Sequence, residues 1–412
     1  MKFKSCIGLV LLGVCPRVLA SGFGLYEASA KSYALGGSVV GRAVDASANF
    51  YNPATLTDLT DITVSVGFMT EHPRARIKVD GAASEAMNPG IFWLPSLQTA
   101  VPLPWDFAFG LGVMPEYGLG SAYDDGWTMD WNSTETTVMS FTVNPNLAWR
   151  WGGFSVGAGL RFLFFDFEQY QRPWAGANGL HLGRMHSRLK GDNGMLDFGW
   201  QVGLKYDVTE GFAVGVVYKS PTLVHVDGKS EVKAEGANPY AEAGAKLVNG
   251  PAETELELPQ SVTAGFNWDI TDTVHLGGTV GWTQWSSVDT LDFDLNGYHK
   301  PIRLEWDDTW RVGLAGSWDF ADGWSAALSY VFENDCCGGQ ESTMLPAADR
   351  HMISGGISWC PYDWLEFAFT YGVILMDGKE TQCRDTVDDR LYRYRAHQGI
   401  SHAVGLTVTF RF

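Results

Sequence analysis

Long hydrophobic runs are missing from this sequence. After residue 20 no stretch reaches the roughly 18 apolar residues that a transmembrane helix needs, although 45% of the 412 residues are hydrophobic. Positive charge is scarce: 29 Lys and Arg stand against 47 Asp and Glu, a formal charge of −18. A nucleic-acid binder needs clustered Lys and Arg for phosphate contacts, so that class is excluded. Charged residues make up only 18% of the chain, beside 17 Trp, 15 Tyr and 23 Phe, which excludes disorder. The 48 glycines exclude a coiled coil or helical bundle, because each would cost about 1 kcal/mol relative to Ala at a helix site. There is no Gly-rich phosphate loop ending in Gly-Lys-Ser/Thr, no His-Glu-x-x-His and no Cys-x-x-Cys. No cofactor, no metal centre and no enzyme activity is expected, and His181 and His186 read as residues of a solvated loop.

What is present begins with a secretory signal. Lys2 and Lys4 form a basic start, Cys6 to Cys15 an apolar run too short to span a bilayer, and Val18-Leu19-Ala20 a small-residue cleavage site. Residues 1–20 are therefore expected to be removed before Ser21. Losing Lys2, Lys4 and Arg17 makes the mature chain three units more acidic. An exported chain of this kind is either soluble or a β-barrel, and hydropathy does not separate the two.

Alternation does. His402, Val404, Leu406, Val408, Phe410 and Phe412 alternate with Ala403, Gly405, Thr407, Thr409 and Arg411. Leu196, Phe198, Trp200, Val202, Leu204 and Tyr206 alternate in the same way with Asp197, Gly199, Gln201, Gly203 and Lys205. This period of two predicts fourteen strands, near 61–70, 91–102, 106–114, 138–149, 153–166, 195–206, 212–220, 258–268, 274–286, 309–318, 323–332, 350–359, 364–376 and 401–412. Short turns and long polar connections follow one another strictly, the pattern of a transmembrane barrel with turns on the inner side of the membrane. Trp149, Trp268, Trp282, Trp318 and Trp359 fall at predicted strand ends, as membrane-interface girdles require. Arg161, Asp197, Lys205, Lys219, Arg311 and Glu366 all fall on the small or polar face. A charge on the other face would cost about 2–4 kcal/mol for Arg or Lys at the bilayer midplane. The fold class is thus all-β, a 14-stranded antiparallel transmembrane barrel over residues 61–412.

Fourteen strands enclose more space than wall side chains fill, since about eight suffice for that. Residues 21–60, rich in Gly and Ala and without alternation, are the expected internal plug. Within them, Asn52-Pro53-Ala54 reads as a helix start, with Asn52 as N-cap and Pro53 at the first helical position.

In context this segment is more specific. Ser21-Gly22-Phe23-Gly24-Leu25-Tyr26-Glu27 leads through Gly36-Gly37, Gly41-Arg42-Ala43 and Asp45-Ala46-Ser47 into Asn52-Pro53-Ala54. Together with Glu116-Tyr117-Gly118-Leu119-Gly120, Phe198-Gly199-Trp200-Gln201-Val202-Gly203, Trp282-Thr283-Gln284-Trp285-Ser286 and Trp310-Arg311-Val312-Gly313-Leu314, it resembles the FadL family of outer-membrane transporters for long-chain fatty acids and other hydrophobic compounds. The resemblance implies an outer-membrane location, an N-terminal hatch in the lumen and diffusion-driven uptake. Ligand would collect in a groove among the outer loops, pass to a pocket against the hatch, and leave sideways through an inward kink in the third strand. That strand is 106–114 here, with Gly110 and Gly112 as kink candidates or as room for the hatch.

A fatty acid carboxylate calls for a cation. Arg161 and Arg311 face the lumen by phase, and His299, Lys300 and Arg303 lie in a long connection; each is otherwise a charge paired with Asp or Glu. Met114, Tyr117, Leu119 and Trp127, with Phe92, Trp93, Leu94 and Trp131, are groove candidates or girdle aromatics. Cys383 is expected either to bond Cys336 or Cys337 across the outer loops or to stay a thiol. The expected partners are a long-chain fatty acid or similar hydrophobic molecule and the surrounding lipid and lipopolysaccharide, with a monomeric protein. A general porin is the alternative reading, followed by an outer-membrane lipase.

Overall fold

The structure, a computed structural model, describes residues 22–177, 179–194, 197–288, 290–304, 306–337, 342–344, 348–385 and 387–412. The signal segment and its cleavage site lie outside the described residues. Fourteen strands form the wall: β1 (Thr63–Val79), β2 (Phe92–Leu103), β3 (Phe107–Met114), β4 (Glu135–Trp151), β5 (Phe154–Gln171), β6 (Asp197–Thr209), β7 (Phe212–Lys219), β8 (Ser261–Asp269), β9 (Val274–Thr283), β10 (Thr309–Ala321), β11 (Trp324–Glu333), β12 (Ala348–Tyr362), β13 (Leu365–Gly378) and β14 (Leu391–Arg411). Each pairs antiparallel with the next, and β14 returns to β1 from Thr63↔Arg411 to Val79↔Tyr394, closing the barrel. Closure leaves the sheet with no first or last strand.

Every one of the fourteen predicted segments is a wall strand, in the predicted phase. Leu406, Leu328 and Phe369 point outward and are exposed, Leu328 by 65%, whereas Arg161, Asp197, Lys205, Arg311 and Glu366 are buried inside. Trp149, Trp268, Trp318 and Trp359 are exposed outward near the short turns. Trp282 instead donates through Nε1 to Asp308 at 3.0 Å. The β2–β3 turn shows how these short connections are made: Trp105 and Asp106 both have φ of 62°, the doubly left-handed backbone that suits a tight hairpin.

At the outer end the strands outrun the prediction. β1 continues to Val79 and β14 starts at Leu391, about ten residues beyond the expected limits. There the pattern inverts. Ala75, Ile77, Val79, Tyr394 and Ala396 are buried inward, while Arg74, Arg76, Lys78, Arg393 and Arg395 face out. Above the bilayer the barrel is an ordinary water-soluble sheet, oily inside and charged outside. The long connections are not plain loops either. Leu180–Asp192 pairs with β5 and with Thr222–Ala234, which pairs with Gly250–Leu258, and α1 (Pro239–Val248) covers this extension.

Residues 22–60 fill the lumen. Their helical turns are short: Ala30–Ala34, Ala48–Tyr51 and a 3₁₀ turn at Pro53–Asp58. Asn52 caps the last as expected, accepting from Ala54 N at 3.0 Å. Its amide also donates to Val40 O at 2.7 Å inside the plug and to Leu204 O at 3.1 Å on the wall. Deeper in, Asn49, Asn144, Asn146 and Gln201 form one buried amide network; Gln201 Nε2 donates to Asn49 O at 2.7 Å and to Asn146 Oδ1 at 2.8 Å. Towards the turns, Lys31 pairs with Glu366, Arg42 with Asp269, and Asp58 with Arg150 and Lys205.

Wall glycines make this fit possible. A Cβ on Gly203 would lie 1.9 Å from Asn52 Oδ1, and one on Gly110 2.0 Å from Asn49 Oδ1. Gly203→Ala is expected to push the Asn52 turn off the wall. Overpacking of this kind costs about 1–3 kcal/mol. It should lower the denaturant midpoint of the folded barrel and raise ion leakage in planar bilayers. Gly316→Ala is the control, because a Cβ there meets only His275 O at 3.7 Å.

Candidate functional site

β3 ends early, and the wall opens beside it. Its ladders run unbroken through Gly110 and Gly112, with Ala100↔Gly110 and Gln98↔Gly112 on one side and Gly110↔Asn146 and Gly112↔Asn144 on the other. The glycines lie within continuous ladders and make room for Asn49 of the hatch, the second of their two expected roles. Departure comes at Pro115, which has no N–H to give to a ladder. Among the described residues, Phe92–Ser96 of β2 pair with β1 but have no partner across from them on the β3 side. A ladder resumes at Gly118–Ala122, against β4, and at its end Ala122 O accepts from Asn88 N at 2.9 Å.

Charge holds this inward turn. Glu116 is buried, with Arg161 at 2.8 Å, Lys219 at 3.1 Å and Thr142 Oγ1 donating at 2.9 Å. The start of the hatch zips onto the same segment: Leu25 N donates to Glu116 O at 2.9 Å, and Gly118 N to Phe23 O at 2.8 Å. Hatch, kink and wall thus share one hydrogen-bonded patch.

Two cavities meet here. The larger, about 150 Å³, lies between the hatch start, the kinked segment and β1, β2, β4 and β10–β14. Leu25, Leu94, Tyr117, Leu119, Met352 and Ile374 supply its apolar walls. Its polar end holds Glu27, Glu71, Arg311, Glu333, Arg350 and Ser401. The smaller, about 70 Å³, lies under the outer extensions and is lined almost wholly by apolar groups, among them Phe23, Phe165, Phe167, Val226, Leu256 and Trp306. Leu119 and Val138 border both.

The predicted site residues divide. Tyr117, Leu119, Phe92 and Leu94 line the larger cavity. Met114 does not; it packs under the hatch with Ala28, Val39, Phe50 and Tyr51. Trp127 also lines neither cavity. It stacks on Tyr123 at 3.9 Å and donates to Ser133 O at 2.7 Å, and Trp131 packs on Tyr392 beside it. Trp93 faces outward. Arg161, only 3% exposed, is spent on Glu116 and Ser220 O and reaches neither cavity. Arg311 does line the larger one, but it pairs with Glu333 at 3.2 Å and stacks on the Tyr26 ring at 4.0 Å. The side chains of Lys300 and Arg303 lie outside the described residues, and His299 stands on an exposed outer hairpin.

His181 is partly exposed on a paired outer strand rather than a plain loop; it stacks on Trp174 and meets Asp385 at 3.1 Å. No disulfide joins Cys383 to Cys336 or Cys337 among the described residues. Cys336 packs in the apolar cluster around Phe23 and Trp306, and Cys383 in another with Ile77 and Trp127.

Sequence reasoning missed the other groups of the polar end. Arg350 donates to Gly22 O at 3.1 Å and, among the described residues, has no carboxylate in ion-pair contact. Glu71 and Glu27 sit beside it, both buried.

A family profile described as outer membrane protein transport protein (OMPP1/FadL/TodX) matches residues 12–412. The chain belongs to that family. As a family member it is a transport protein of the bacterial outer membrane. The long-chain fatty acid transport protein of Escherichia coli O6:H1 is 22% identical over 397 residues, covering 86% of this chain and 87% of that protein. Outer membrane protein P1 of Haemophilus influenzae is 22% identical over 309 residues, covering 68% and 66%. Among solved structures, a Pseudomonas aeruginosa FadL homologue superposes with a TM-score of 0.84 at 18% identity, covering 95% of this chain and all of that one. The Ralstonia pickettii toluene transporter TbuX gives 0.70 at 17% identity, covering 93% and 98%. At these identities the structural likeness speaks for the fold.

Proposed function

We propose that this FadL-family protein carries hydrophobic compounds, foremost long-chain fatty acids, inward across the outer membrane by diffusion. The observation that carries the reading is the unpaired stretch Phe92–Ser96 beside an apolar cavity with a polar end. Ligand is first held in the small apolar cavity under the outer extensions and passes Leu119 and Val138 into the larger one. A small shift of Phe23–Leu25 frees the kinked segment, and the ligand leaves sideways between β2 and β3 into lipid. Each methylene kept out of water on this path is worth about 0.8 kcal/mol, so the tail supplies most of the affinity. The mixed charges at one end favour an amphipathic ligand over a plain hydrocarbon such as toluene.

Uptake by cells whose own long-chain fatty acid transporter is deleted tests this. Expression of the protein should raise uptake of labelled oleate at least about tenfold, a difference of about 1.4 kcal/mol in effective barrier, and leave sucrose permeation unchanged. Sucrose entering as readily as oleate would make it a general porin, and toluene taken up in place of oleate would overturn the fatty acid assignment.

A further inference from the structure

Glu71 offers the larger cavity an acceptor that no described group uses. The residue is 9% exposed and points inward from β1. Its Oε2 accepts from Ser401 Oγ, while Oε1 is fully buried and has no hydrogen-bond partner among the described residues. Buried polar atoms are paired in the great majority of cases, so an orphan on a cavity wall marks where a guest group belongs. The surroundings sharpen the demand. Glu27 lines the same cavity and accepts from its neighbour Tyr26 N at 2.7 Å. Glu333 is held by Arg311 at 3.2 Å, and Arg350 is turned to Gly22 O.

An anionic head placed here would add a third carboxylate beside Glu27 and Glu71. An O–H head does the opposite. It donates to Glu71 Oε1, and its own oxygen can accept from Arg350. It also suits either state of Glu71, donating to the carboxylate or both giving to and taking from the protonated carboxyl. An ether or ester has nothing to donate. We propose that this pocket selects hydrophobic ligands that carry an O–H head, namely an un-ionised carboxyl, a long-chain alcohol or an alkylphenol, with Glu71 Oε1 as the acceptor. The inference rests on the reading of this cavity as the ligand pocket.

Native mass spectrometry of the purified full-length protein in detergent tests it with matched pairs. 1-Hexadecanol, 4-decylphenol and hexadecanoic acid are each compared with their methyl ether or methyl ester. One hydrogen bond to a buried carboxyl should give each O–H compound about a tenfold advantage in affinity over its methylated partner. Glu71→Met should remove that advantage, so that each O–H compound and its methylated partner bind equally. Glu71→Gln, which keeps an acceptor oxygen, should retain part of it. Equal binding within the pairs, or an advantage that survives in Glu71→Met, overturns the proposal. An advantage seen with the acid alone overturns it too, because charge rather than donation would then be recognised. If the methionine variant does not fold, the wild-type pairs still decide. Binding without preference removes only the donor rule, whereas no binding of any compound removes the pocket itself and the transport reading with it.

Discussion

Glu116→Ala is expected to abolish oleate uptake while the barrel still assembles. The side chain sits directly after Pro115, where the third strand turns inward, and it is the shared counter-charge of Arg161 and Lys219. Removing it leaves two cations facing each other, one of them 3% exposed. Breaking a buried pair by deleting one partner costs about 3–5 kcal/mol. No ladder bond of β3 depends on Glu116, since those end at Met114, so the cost falls on the kinked segment and the hatch strand zipped to it. Both should lose their fixed positions. Glu116→Gln separates charge from shape: it can still accept from Thr142, but it no longer neutralises the cations. Its uptake should fall between wild type and alanine. Folding is checked by the heat-dependent shift in gel mobility, and function by labelled oleate. Wild-type uptake by the alanine variant would show that the inward turn needs no charge to hold it.

The barrel was legible because lipid makes a simple demand. Within the bilayer each strand must be oily on one face, and segments such as Leu406, Val408 and Phe410 show this without any partner in view. Where the strands leave lipid the demand reverses, with Ile77 and Val79 inside and Arg76 and Lys78 outside. A reader following one phase stops near residue 70. Glu71 lies just past that point, and Arg350 opens β12's predicted segment, which is why the polar end of the pocket stayed hidden. Arg161 and Arg311 were placed on the correct face, but facing the lumen does not make a cation available. Their partners, Glu116 and Glu333, are 45 and 22 residues away in sequence: Glu333 meets Arg311 as its cross-strand partner in the β10–β11 ladder, and Glu116 meets Arg161 because the chain turns inward after Pro115. Gly110 and Gly112 were legible as lumen glycines; their role became clear only with Asn49 seated against them. Met114 and Trp127 failed for the opposite reason, since an apolar residue near a strand end serves packing as readily as a ligand.

Deleting residues 22–60 from the mature chain is expected to convert a closed barrel into an open pore. The wall does not need the plug to close, because β1 and β14 pair from Thr63↔Arg411 onward without any residue before 63. Nor do the wall charges lose every partner with it. Glu366 keeps Arg411, Asp269 keeps His275 at 2.7 Å, and Lys205 keeps Asp207 at 3.0 Å. Water would reach the charges left behind, and solvated pairs of this kind are worth only about 0–1 kcal/mol each. Asn144, Asn146 and Gln201 would likewise exchange plug partners for water. What remains is fourteen strands around a polar, glycine-lined lumen, between the side-chain-filled barrels of about eight strands and the aqueous channels of 16–18. Single-channel recording in planar bilayers should therefore show steady conductance at least about ten times that of the intact protein. In cells sucrose should now enter, and the preference for oleate over small solutes should vanish. If the truncated barrel folds and conducts no better than the whole, residues 22–60 are not what closes the lumen, and selective passage beside them loses its physical basis.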